Sequence, residues 1–116
     1  MKASAGKKIS LEKFREVAEI VKSDDRYDVY DIKMDNLVAS MTVLHSGKET
    51  TGHSHDADEV YFFVEGGGKI QLGDEKQEVA RNDIILIHRG CFHKVFNNSS
   101  SDLIFICVFE KYEGRK

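Results

Sequence analysis

Only two cysteines occur in the 116 residues, too few for a disulfide framework. Cys107 sits inside the apolar run Leu103 to Phe109 and reads as core, and Cys91 reads as structural too. No apolar run is long enough to span a bilayer, and no charged start is followed by a hydrophobic stretch. Membrane insertion and secretion are therefore not expected, and a cytoplasmic location is the default. There is no basic excess either. The formal charge is -3, and Gly6-Lys7-Lys8 is the one basic cluster, so nothing suggests a nucleic-acid partner. With 41% hydrophobic content the chain can bury one core but not two.

What is present is mostly strand-like. Residues 1–9 read as a flexible terminus and 10–116 as a single domain. Ser10 offers a helix cap, and Leu11, Phe14, Val17, Ala18 and Val21 recur at helical spacing, predicting a short N-terminal helix over Ser10 to Lys22. Strands are then expected at Tyr27 to Lys33, Leu37 to His45, Glu59 to Glu65, Lys69 to Leu72, Lys76 to Ala80, Ile84 to Ile87, Phe92 to Phe96 and Leu103 to Phe109. Between them lie turn signals such as Met34-Asp35-Asn36, Gly66-Gly67-Gly68 and Arg81-Asn82-Asp83. Many short strands with turns at close intervals imply an all-β sandwich or barrel.

Chemistry concentrates between Gly47 and Gly66. On extended backbone, side chains alternate faces at about 3.3 Å per residue, so His53, His55, Glu59 and Tyr61 share parity. Asp56-Ala57-Asp58 is a poor strand former, and a bulge or turn there folds Glu59 back toward the histidines. Two imidazoles and a carboxylate then suit a divalent ion with open positions. A further candidate ligand, His93, follows the strand-like run Ile84 to Ile87.

These residues resemble the cupin family. Its first motif is a glycine, five residues, H-x-H, three or four residues, a glutamate, six residues and a glycine, matched at Gly47, His53, His55, Glu59 and Gly66. The second is met at Gly90, His93 and Asn97. Asn82 stands where a glycine is usual, and His88 where a proline is usual in a chain with no proline at all. Asn82 can take the left-handed conformation that glycine supplies. The resemblance implies a double-stranded β-helix, a jelly-roll barrel holding one divalent metal ion. Manganese, iron, nickel and zinc are all candidates, with His53, His55, Glu59 and His93 as ligands. Tyr61, Phe63 and Val95 share the ligands' alternation and are expected to line the interior. His45 and His88 read as a strand-end and a turn residue.

Within that family the chain is most similar to the archaeal cupin-type phosphoglucose isomerases, through Tyr27 to Tyr30, Ala39 to Leu44, Gly47-Lys48 and Ala57 to Tyr61. This implies catalytic roles for Glu59 and Tyr61 and a substrate-binding role for Thr42. Lys48 is a candidate charged donor to a phosphate. The expected activity is isomerisation of a sugar or sugar phosphate, a carboxylate moving the proton while the metal stabilises developing charge. A mononuclear iron or manganese dioxygenase, a small-acid decarboxylase and a non-enzymatic metabolite-binding protein are the alternatives. Homodimerisation is expected because a small jelly roll has edge strands to cover, with Tyr27 to Lys33 available to pair across the boundary.

Overall fold

The computed structural model describes residues 6–111. A single 3-10 turn, Leu11–Lys13, runs into α1, Phe14–Val17. Nine strands follow: β1 Glu19–Ser23, β2 Tyr27–Lys33, β3 Leu37–Leu44, β4 Glu59–Glu65, β5 Gly67–Leu72, β6 Glu75–Ala80, β7 Ile84–Ile87, β8 His93–Phe96 and β9 Leu103–Glu110. One sheet has the order β1-β2-β3-β9-β4-β7 and the other β6-β5-β8, with antiparallel pairing throughout. This is the all-β, two-sheet jelly roll expected. No described helix is long and apolar enough to cross a membrane.

Alternation builds the core. Along β4, Glu59, Tyr61 and Phe63 are buried while Val60 and Phe62 are exposed. Along β9, Leu103, Phe105, Cys107 and Phe109 face the same interior. Val95 on β8 and Ile70 on β5 close it from the opposite sheet. The other face of the large sheet carries Met41, Val43 and Ile104, which pack under Phe14 of α1.

Two expectations are corrected. The helix predicted over Ser10 to Lys22 stops at Val17, Ala18 is extended, and the remainder becomes β1. Ser10 makes no side-chain capping bond. Local periodicity loses to pairing: the β-branched Ile20-Val21 takes the open edge of β2, and of the predicted apolar stripe only Phe14 is fully buried. In turn, β2 is no edge. It pairs along one side with β1, from Asp28 to Asp31, and along the other with β3, from Tyr27↔Leu44 to Lys33↔Val38, so the middle of Tyr27 to Lys33 has no free ladder to offer a second copy. Residues 1–5 of the expected flexible terminus lie outside the described residues.

The motif positions outside the ligand set have backbone reasons. Asn82 sits at φ 79°, in the left-handed region expected of it. Gly66 has φ 89°, and a Cβ there would lie 2.6 Å from the Asp102 carbonyl oxygen, so a side chain is excluded twice over. Asn97 is buried, its Nδ2 donating to the carbonyls of Leu44 and Ser101 at 2.9 and 2.8 Å and its Oδ1 accepting from the Ser99 amide and hydroxyl. Its own N–H donates to the Lys48 carbonyl at 2.8 Å, tying the end of the second motif to the start of the first. Asn97→Ala leaves the buried Leu44 carbonyl without its donor, and should cost about 1–3 kcal/mol in urea denaturation. A cost within error of zero would mean that solvent replaces those bonds.

Candidate metal centre

His53 and His93 face each other across an isolated antiparallel bridge. The two backbones exchange hydrogen bonds, His93 N–H to the His53 carbonyl at 2.9 Å and the reverse at 3.2 Å. Cross-strand partners share a face, so both rings point inward. His55, two residues on, keeps that parity, and its carbonyl accepts from Gly90 N–H at 2.8 Å. The chain then bends at Asp56 and Ala57, where Asp58 Oδ1 accepts from the Arg89 amide at 2.8 Å. That turn delivers Glu59 to the first inward position of β4.

The result is a convergent set. One ring nitrogen from each of His53, His55 and His93 lies within 4.8 Å of the others. Glu59 Oε2 lies 3.5 Å from His55 Nε2 and 3.4 Å from His93 Nε2. His93 is only 2% exposed, and burial pushes its imidazole pKa below the ordinary value, partly offset by the hydrogen bond to the Cys91 carbonyl. A carbonyl only accepts, so the 2.9 Å contact assigns the proton to Nδ1 of the neutral ring. The buried Nε2 then carries a lone pair, has no hydrogen-bond partner among the described residues, and faces a carboxylate oxygen. Two acceptors opposed in a buried site are unfavourable on their own. A divalent cation between them removes the conflict, and a ligating histidine held through its other nitrogen by a carbonyl is a common supporting arrangement. The residues present therefore fit the implied ion, with three neutral imidazoles and one carboxylate.

The centre opens on a cavity of about 570 Å³ lined by the inward face of the large sheet, from β1, β2, β3, β4 and β9, and by Thr50, Thr51, His53 and His55. Tyr61 lines it, with its ring edge-on to His93 at 5.7 Å between centroids and stacked on Phe105 at 5.2 Å. Thr42, on the inward face of β3, lines it as well. Phe63 and Val95 are packed in the surrounding core. Lys48 is not part of the lining, and its half-exposed ammonium lies 3.9 Å from Asp25. His45 also stands outside, between Asp28 and Asp102 at 3.3 Å from each, and His88 is exposed.

Sequence reasoning passed over several lining residues. Ser40 precedes Thr42 at strand spacing on a buried face, and two hydroxyls at i and i+2 in an otherwise apolar strand were the available signal. Thr50 and Thr51 gave none, because they sit in irregular chain. Tyr27 stands at the rim, donating to Thr51 Oγ1 at 3.5 Å under the Lys22 ammonium, which lies 4.7 Å from its ring centroid. Burial pushes the Tyr27 phenol up, but the hydrogen bond to Thr51 and the approach of Lys22 outweigh it and leave the pKa below the ordinary tyrosine value.

Comparison with known proteins agrees with this geometry. A family model described as Cupin domain matches residues 40–109. An uncharacterized protein of Streptomyces coelicolor is 34% identical over 79 residues, covering 68% of this chain and 74% of that one. An acireductone dioxygenase of Cronobacter sakazakii is 33% identical over 92 residues, covering 76% of this chain and 49% of the dioxygenase. The chain thus spans about half the length of that relative. Among solved structures, a conserved Klebsiella pneumoniae protein with a double-stranded β-helix domain superposes with a TM-score of 0.78 at 16% identity, covering 95% of this chain and 94% of that one. An RmlC-like cupin from Shewanella frigidimarina gives 0.74 at 19% identity, covering 87% and 90%. These last two likenesses concern the fold.

Proposed function

This chain belongs to the cupin domain family, and from that premise we propose that it is a metal-dependent enzyme performing dioxygenase chemistry on a small polar molecule. The observation that carries the reading is the inward cluster of His53, His55 and His93 with Glu59 beside it, open to the cavity. These four side chains would hold a divalent ion, which would supply a Lewis-acidic centre to the cavity. The protein supplies the rest. Ser40 and Thr42 on β3 offer hydroxyls, their partners Cys107 and Phe105 on β9, with Phe109, exclude water from the same wall, and Tyr61 stands beside the ligands with a phenol able to donate to a substrate oxygen. Among the described residues that line the cavity Glu59 is the one carboxylate, and the natural group to take or hold a proton. The acireductone dioxygenases among the relatives support oxygen chemistry over the other classes.

The test is oxygen uptake with an acireductone by protein loaded in turn with iron, manganese, nickel and zinc. Turnover is expected with at least one metal, and Glu59→Gln should lower kcat by about 100-fold or more while leaving the fold intact. A second reading has one observation in its favour. Glu59, Tyr61 and Thr42 share the cavity, as a sugar-phosphate isomerase requires, although the relatives described above give it no support. Interconversion of aldose and ketose phosphates without oxygen uptake would decide for it. Metal-loaded protein that turns over neither substrate class would leave a binding role.

A further inference from the structure

The metal cavity has a second pole, and a one-residue irregularity in β1 creates it. At its outer end β1 pairs regularly with β2, Glu19↔Asp31 and Ile20↔Tyr30. The register then slips, and Lys22 opposes Val29 and Ser23 opposes Asp28. Without the extra residue Lys22 would lie opposite Asp28, which pairs with Val43 on the face that packs under α1. With it, Lys22 lies opposite Val29, which pairs with Thr42 on the cavity face. Such bulges re-aim side chains. Both Val21 and Lys22 accordingly line the cavity.

The re-aimed residue is a cation. Among the described residues that line the cavity, Lys22 carries the one side-chain positive charge and Glu59 the one negative charge. A divalent ion on three neutral imidazoles and Glu59 keeps one positive charge in excess, so metal and Lys22 form two positive poles joined by hydroxyl-bearing and aromatic walls. The anion nearest Lys22 is Asp24, at 3.9 Å with both side chains over a third exposed, a pairing worth little and readily exchanged. Around the Lys22 pole stand the Tyr27 and Thr51 hydroxyls, and Arg26 reaches Thr51 Oγ1 at 3.2 Å from outside.

We propose that Lys22 is the specificity-determining residue of this cavity, anchoring the oxyanion end, carboxylate or phosphate, of a small organic acid whose other end reaches the metal. The inference rests on the metal reading of the same site and deepens it by naming the substrate class. Lys22 lies outside the residues matched by the family model, so the anchor belongs to this chain's own β1 and not to the shared motifs. Charge-assisted bonds from a lysine to an oxyanion are the strong kind, and the Tyr27 and Thr51 hydroxyls stand beside Lys22 as further hydrogen-bonding groups.

The experiment uses wild type, Lys22→Met and Lys22→Arg, each loaded with manganese and freed of excess metal. Metal content and affinity should agree among the three within about twofold. Each is then titrated calorimetrically with succinate, with inorganic phosphate and with neutral succinamide. Wild type is expected to bind at least one oxyanion and to prefer it to succinamide, the tighter of the two identifying the anchored group. Lys22→Met should weaken that binding about tenfold or more, and Lys22→Arg should restore most of it. Equal binding by wild type and Lys22→Met, or no preference of wild type for the oxyanions over succinamide, overturns the inference while leaving the metal centre standing. Failure of wild type to take up any of manganese, iron, nickel and zinc overturns both.

Discussion

Alanine at both His53 and His55 is expected to reduce metal content from about one divalent ion per chain to a level that elemental analysis does not distinguish from buffer. Two of four converging donors are lost, leaving His93 Nε2 and Glu59 Oε2 to hold an ion alone. Removing merely the outer partners of metal ligands typically costs about 10–100-fold in affinity, so removing two ligands should exceed that range. Thermal unfolding supplies an independent reading. With free metal at about 100 times its Kd, wild type should gain about 2.7 kcal/mol of stability, and the variant should gain nothing. Undiminished metal in the variant would locate the ion away from this cluster, and no uptake by wild type with any of the four metals would end the metal reading.

The second large effect is on stability. Phe63 is fully buried, 5.1 Å between ring centroids from Phe105 and 6.4 Å from Tyr61. Its truncation in Phe63→Ala leaves a cavity that the two sheets cannot close without losing their pairing. The expected cost is about 3–5 kcal/mol, or a fall in Tm of roughly 10–25 °C for a domain of this size. Phe62→Ala is the control. The neighbouring ring points to the other face of β4 and is 37% exposed, so its loss should cost under about 1 kcal/mol. Calorimetry on both variants tests the face assignment, and equal losses would contradict it. Because Phe63 follows Glu59 and Tyr61 on the same inward row, Phe63→Ala should also loosen the metal centre, seen as weaker metal affinity below the Tm.

Much of this was legible because it is local. The bounds expected for β2, β4 and β7 are those found, since turn residues and alternating apolar positions act within a few residues of one another. The histidine and glutamate spacing foretold a shared face, and the turn at Asp56 to Asp58 brought Glu59 around as the poor strand propensity of those residues required. The N-terminal segment departs from its local pattern for the opposite reason. Its apolar positions suit a helix, but from Glu19 onward it meets the open edge of β2, and ladder hydrogen bonds outweigh a weak local preference.

The two lysines show where the boundary falls. Lys48 is the sequence's candidate for a charge-assisted contact to a phosphate, yet its side chain lies outside the cavity lining near Asp25, while Lys22, expected on a helix, lines the cavity. Which face a strand residue occupies depends on its register with a partner, and a single bulged residue inverts it. By itself the sequence determined the all-β class, the places of β2 to β9 and the four inward donors, because each follows from steric and polar preferences along a short stretch of chain. Tertiary structure alone decided that His53 faces His93 across a bridge and that Lys22 turns into the cavity, because pairing between segments far apart in sequence decides which side chains meet.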